Sequence, residues 1–138
     1  MTKRRGRVQR EKGLPDLSIT PRDDPIQLLP GEEPDDEISW ITDAGDHRFF
    51  ERFTRTNHGR LLDFCVRLEI KTAAGWSEII RFECSHEKPH GHRTTRAGEE
   101  RALDLSYPDD LDEAYAEARN VVYNETAQHL QRWRDERI

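Results

Sequence analysis

From Leu61 to Lys71 apolar and polar residues alternate. Leu62, Phe64, Val66, Leu68 and Ile70 fall on one face; Asp63, Arg67, Glu69 and Lys71 fall on the other. A period of two is the signature of a half-buried strand. Thr72-Ala73-Ala74-Gly75 then turns the chain, and Trp76 to His86 runs back with Trp76, Ile80, Phe82 and Cys84 sharing a face. Setting Ile70 opposite Trp76 pairs Val66 with Ile80, Phe64 with Phe82 and Leu62 with Cys84. That register joins the apolar sides of both strands, and a slip of one residue destroys the match. Upstream, His47 to Arg55 carries Phe49, Phe50 and Phe53 and ends at Thr56-Asn57-His58-Gly59, a turn signal. His92 to Leu105 predicts one further strand, or two around Ala97-Gly98.

The period changes after Pro108. Leu111, Ala114, Tyr115, Ala118, Val121, Val122, His129, Leu130 and Trp133 recur at spacings of three and four, predicting one long amphipathic helix over 111–134. Pro108-Asp109-Asp110 supplies its start, and Asp112 and Glu113 suit the positive end of the helix dipole. Asn124 is a poor helix former inside that span. The expected fold is α+β: an antiparallel sheet of about four strands with one face covered by a long C-terminal helix.

Length and composition set the limits of this picture. The 138 residues suffice for one domain, and with 33% hydrophobic against 36% charged residues the core is modest. No apolar run reaches the length of a membrane span, and no apolar stretch follows the basic N-terminus as a secretory signal requires. Two cysteines are too few for a disulfide scaffold, so a cytoplasmic setting is expected. The alternation puts Cys84 on the core side and Cys65 on the opposite side, which separates them.

Charge divides the chain. Lys3, Arg4, Arg5, Arg7, Arg10 and Lys12 stand against Glu11 alone, a net +5, so the −6 of the whole chain leaves −11 on residues 13–138. Pro15, Pro21, Pro25, Pro30 and Pro34 then punctuate an acidic stretch that suits a linker. Residues 1–36 are therefore expected to be a disordered basic arm and linker, and residues 37–138 a single α+β domain. Ile26, Leu28 and Leu29 are the residues able to pin the linker to the body. A basic arm can make weak contact with nucleic acid through phosphates.

The candidate chemistry lies in Cys84-Ser85-His86-Glu87-Lys88-Pro89-His90-Gly91-His92-Arg93. Three imidazoles near a strand end can gather round one metal ion, with Cys84 or Glu83 as a further ligand. His86, His90 and His92 with Arg81 can instead supply an acid, a base and a charge clamp for phosphoryl chemistry. The third reading is a loop whose histidines cap the sheet. No cofactor is expected; zinc or another transition metal is the alternative that the first reading carries. On the polar face the expected register sets Asp63 against Glu83 and Cys65 against Arg81, with Arg67 beside them, as a solvated set of cross-strand ion pairs.

These stretches resemble an uncharacterised prokaryotic family, a domain of unknown function. Its hairpin ends in an Arg-Tyr/Phe-Asp-x-x-His-Gly type of motif, and its helix carries Glu-Ala-x-x-x-Ala and a later Asn. The matching residues are Phe64-Cys65-Val66-Arg67-Leu68, Gly75 to Glu83, His86, His90, Gly91 and His92, then Glu113-Ala114, Ala118 and Asn124, over about residues 47–134. Glu83 stands where the family has Asp, and Glu87-Lys88-Pro89 separates His86 from His90. More distantly the pattern is similar to TumE-type toxins, which implies a protein acting on RNA and an antitoxin or other protein partner. The expectation carried forward is a small cytoplasmic domain of unassigned activity. An RNA-acting toxin and a metal-binding module are its alternatives.

Overall fold

A computed structural model describes residues 28–84 and 88–137. The basic arm and His86 lie outside the described residues. Six strands form one sheet in chain order: β1 (Pro34–Asp43), β2 (His47–Thr56), β3 (Leu61–Thr72), β4 (Gly75–Glu83), β5 (His90–Thr94) and β6 (Glu100–Leu103). Every neighbouring pair is antiparallel. The α+β class holds; the strand count of about four does not. The chain does split around Gly98, which takes a φ of +92° in the turn between β5 and β6. The strand with no forecast is β1. It opens at Pro34, before the expected boundary at 37, and that proline and the acids after it conceal a pairing that β2 supplies. The lead-in is tied down by polar contacts, since Arg60 Nη2 lies 2.6 Å from Glu32 Oε1, while Leu28 and Leu29 stay exposed.

The hairpin register differs from the expected one by two residues up to Leu68 and by one from Glu69 to the turn. Val66 pairs with Phe82, Leu68 with Ile80, Ile70 with Ser77 and Lys71 with Trp76, and the register shifts between Leu68 and Glu69. A shift of two keeps Phe64, Val66, Leu68, Ile80 and Phe82 on the core face, so the face assignment survives. The shift also leaves Ile79 as an extra residue without a partner, a β-bulge. Ile79 and Ile80 are both fully buried. Beyond the bulge the faces exchange. Trp76 therefore stands on the side opposite the helices, with the Arg48 guanidinium 4.1 Å from its ring centroid.

Two helices replace the single long one: α1 (Leu111–Asn124) and α2 (Thr126–Asp135). Asp110 caps α1 by accepting a hydrogen bond from the Glu113 amide at 3.1 Å. The break falls after Asn124, and side chains satisfy the carbonyls it releases. Thr126 Oγ1 donates to Val122 O at 2.8 Å, and His129 Nε2 donates to Val121 O at 2.9 Å. His129 is thus a buried structural histidine. Ala114 and Ala118, both fully buried, let α1 approach β3 closely, while Tyr115 stacks on Phe64 and Tyr123 on Phe49. One core results, with Phe64, Val66, Leu68, Ile80, Phe82 and Cys84 beneath Ala118, Val122, Leu130 and Trp133.

The candidate metal centre on the second face of the sheet

Both helices pack on the core face, and the other face carries charge. Arg48, Asp63, Arg67, Glu69 and Glu83 all lie there at 3–7% exposure. The expectation of a solvated face is therefore corrected: these are buried groups that neutralise one another across strands. Arg48 Nε donates to Glu69 Oε1 at 2.7 Å, Arg67 Nη1 lies 3.7 Å from Glu69 Oε2, and Arg67 Nε lies 3.3 Å from Glu78 Oε1. Arg81 Nη1 donates to Glu78 Oε1 at 3.0 Å, and Arg81 Nε lies 2.9 Å from Glu83 Oε2. Arginine and glutamate alternate in one chain from β2 to the end of β4. Cys65 pairs with Glu83 and Arg67 with Arg81, two residues away from the expected partners. Burial pushes the Cys65 thiol up to about 12, so it stays protonated and inert.

The chain of ion pairs ends at Glu83, and two histidines meet it there. β5 pairs Glu83 with His90 and Arg81 with His92. Residues 90 and 92 are both extended, so their side chains leave the same face of the strand. Gly91 faces the core between them, and a Cβ at that position would fall 2.5 Å from Cε1 of Phe82. The Phe82 ring thus occupies the space that a side chain at 91 would need. This packing fits glycine alone and fixes β5 against β4.

One ligand atom from each of Glu83, His90 and His92 lies within 4.8 Å of the others. His90 Nε2 is 4.0 Å from Glu83 Oε2, and the two imidazole rings meet edge to face at 4.9 Å. Glu83 Oε1 is buried and accepts no hydrogen bond from the described residues. His90 and His92 keep side-chain exposures of 34% and 25%, so the two imidazoles are open to solvent while the carboxylate beside them is buried. Burial lowers the pKa of His92, and the Arg81 cation and His90 add to the effect against the pull of Glu100 and Glu83. His92 is therefore neutral at pH 7, the form that ligates metal.

The expected site residues divide. Arg81, His90 and His92 come together. Cys84 does not join them, because it is buried in the core cluster on the helix side. His86 lies outside the described residues. Two buried charges of β2 escaped the sequence reading: Arg48 on the charged face, and Glu51, on the core face and fully buried. Tyr115 donates a short hydrogen bond to it, Tyr123 Oη donates at 2.7 Å, and Arg119 Nε lies 2.7 Å away. These contacts bind α1 to the sheet. A tyrosine pair at helical spacing above an inward glutamate is the signal that could have found them.

The family model described as a domain of unknown function, DUF7718, matches residues 33–137. The chain belongs to that family. The match begins one residue before β1 and runs to the end of the described helices, so it takes in the whole sheet and the histidine pair. No curated protein and no solved structure matches the chain. None of the helices among the described residues is long and apolar enough to cross a membrane.

Proposed function

We propose that this DUF7718 domain is a transition-metal-binding module whose ion sits between Glu83, His90 and His92. The observation that carries the reading is the buried Oε1 of Glu83, which accepts no hydrogen bond from the described residues, beside two imidazoles. A buried carboxylate oxygen with no donor is costly, and a cation within reach removes the cost. Two imidazoles and one carboxylate suit zinc and its first-row neighbours rather than magnesium or calcium, which prefer oxygen donors. Three protein ligands leave at least one coordination position open, the arrangement of a reactive rather than a closed structural site.

Acid–base action on RNA by the same histidines is the competing reading. Arg81 disfavours it. Its guanidinium is already engaged by Glu78 and Glu83, which leaves little of its charge for a phosphate. Titration of the purified metal-free domain with zinc by calorimetry separates the two. Stoichiometric binding in the wild type, lost in Glu83→Gln and in His90→Ala, is the expected result. Absence of binding, or binding unchanged in both variants, contradicts the proposal. Metal-independent RNA cleavage that disappears in His90→Ala would favour the acid–base alternative.

A further inference from the structure

The two histidines hold their rings in one particular way, and the groups behind them explain it. His90 Nδ1 lies 3.0 Å from the carbonyl oxygen of Lys88. A carbonyl can only accept, so Nδ1 carries the proton and Nε2 keeps its lone pair. His92 Nδ1 lies 3.3 Å from Oε1 of Glu100. The contact is an ion pair rather than a hydrogen bond, and the carboxylate charge beside Nδ1 favours the proton there, leaving Nε2 as the donor atom for a ligand. Glu100 reaches His92 because β6 pairs Ala102 with His92 and Glu100 with Thr94, placing the glutamate diagonally across on the same face.

We infer that Glu100 and the Lys88 carbonyl form an outer shell that presets both imidazoles as Nε2 donors toward Glu83, with Glu100 as the positioning residue for His92. The inference rests on the metal reading for its purpose but not for its geometry. Partners of this kind fix ring orientation and raise the basicity of a ligating histidine, and losing one typically weakens metal affinity about 10–100-fold. The short edge strand β6 gains a role through this contact. It delivers one carboxylate to the back of one ligand.

Glu100 is exposed and lies on the outermost strand, so its replacement leaves the core intact. Nitrogen-detected NMR of the full, metal-free chain reads the tautomers directly. In the wild type both His90 and His92 are expected as Nδ1-protonated imidazoles. In Glu100→Ala, His92 should lose that preference while His90 keeps it. Zinc affinity should fall about 10–100-fold in Glu100→Ala, and Glu100→Gln, which lacks the charge, should not restore it. An Nε2-protonated His92 in the wild type overturns the inference, and so does zinc affinity in Glu100→Ala within twofold of wild type. Absence of zinc binding with the tautomers as expected overturns the metal reading alone and leaves the positioning by Glu100 standing.

Discussion

Phe64 and Phe82 illustrate how far single positions can be read from alternation. Both were expected on the core face, and both are almost fully buried there. Replacing either ring by alanine should cost about 3–5 kcal/mol, measured as a lower urea midpoint; a loss below 1 kcal/mol would contradict the packing. Glu51 shows where such reading stops. Alternation places it among Phe49 and Phe53 on an inward face, and pattern alone cannot reveal that two tyrosines and an arginine wait above it. Glu51→Ala leaves the buried Tyr115 hydroxyl and the half-buried Tyr123 hydroxyl without their acceptor and should cost about 2–4 kcal/mol by the same assay. Glu32 offers a test by pH. Hydrogen bonds from Arg60 and from the Leu29 amide, with the Arg60 charge, hold its carboxyl down from 4.5 to about 2. Its contribution to the folded state is complete above pH 4.5 and is lost as pH falls toward 2. Carboxyl NMR titration should place its midpoint near that lower value in the wild type and higher in Arg60→Ala, where the hydrogen bond from the Leu29 amide still holds it down. A normal midpoint in the wild type would exclude the contact.

Strands were easier to locate than to align. The alternation of β3 fixed which of its sides faces the core, because a one-residue error exposes every apolar group. A two-residue error exposes none of them, so periodicity had no means of excluding it. The bulge at Ile79 had no independent mark either, since two adjacent isoleucines fit a buried strand and a bulged one equally well. The break between α1 and α2 was signalled by Asn124 but needs Thr126 and His129 to take over the freed carbonyls. Those are tertiary-scale facts about a helix with an otherwise continuous apolar stripe. β5 depends on Gly91, which was read only as a loop residue. Gly91→Ala pushes a methyl group into the Phe82 ring and should cost about 1–3 kcal/mol. It should weaken zinc binding as well, since the same strand carries both histidines. An unchanged urea midpoint would mean that the ring does not lie over position 91.

At the scale of the whole molecule, the sheet separates two kinds of interior. One face is apolar and covered by α1 and α2; the other is a run of alternating arginines and glutamates that ends at Glu83 and the histidines. Composition alone anticipated the modest core but not the destination of the charges, because burial of an ion pair depends on partners from three strands. The clustering of His90 and His92 was legible once the segment was taken as extended; the exclusion of Cys84 followed from its face. Glu100 was not legible, since β6 pairs with β5 only through the turn at Gly98. A ligand that binds the folded state alone should also raise the thermal midpoint, by an amount equivalent to about 2.7 kcal/mol at a hundredfold excess over the dissociation constant. The most direct test is a crystal of the domain soaked in zinc, with diffraction recorded on both sides of the zinc absorption edge. The account predicts one strong anomalous peak about 2.0–2.2 Å from Nε2 of His90, Nε2 of His92 and a Glu83 carboxylate oxygen. A map with no peak between those three residues would contradict it.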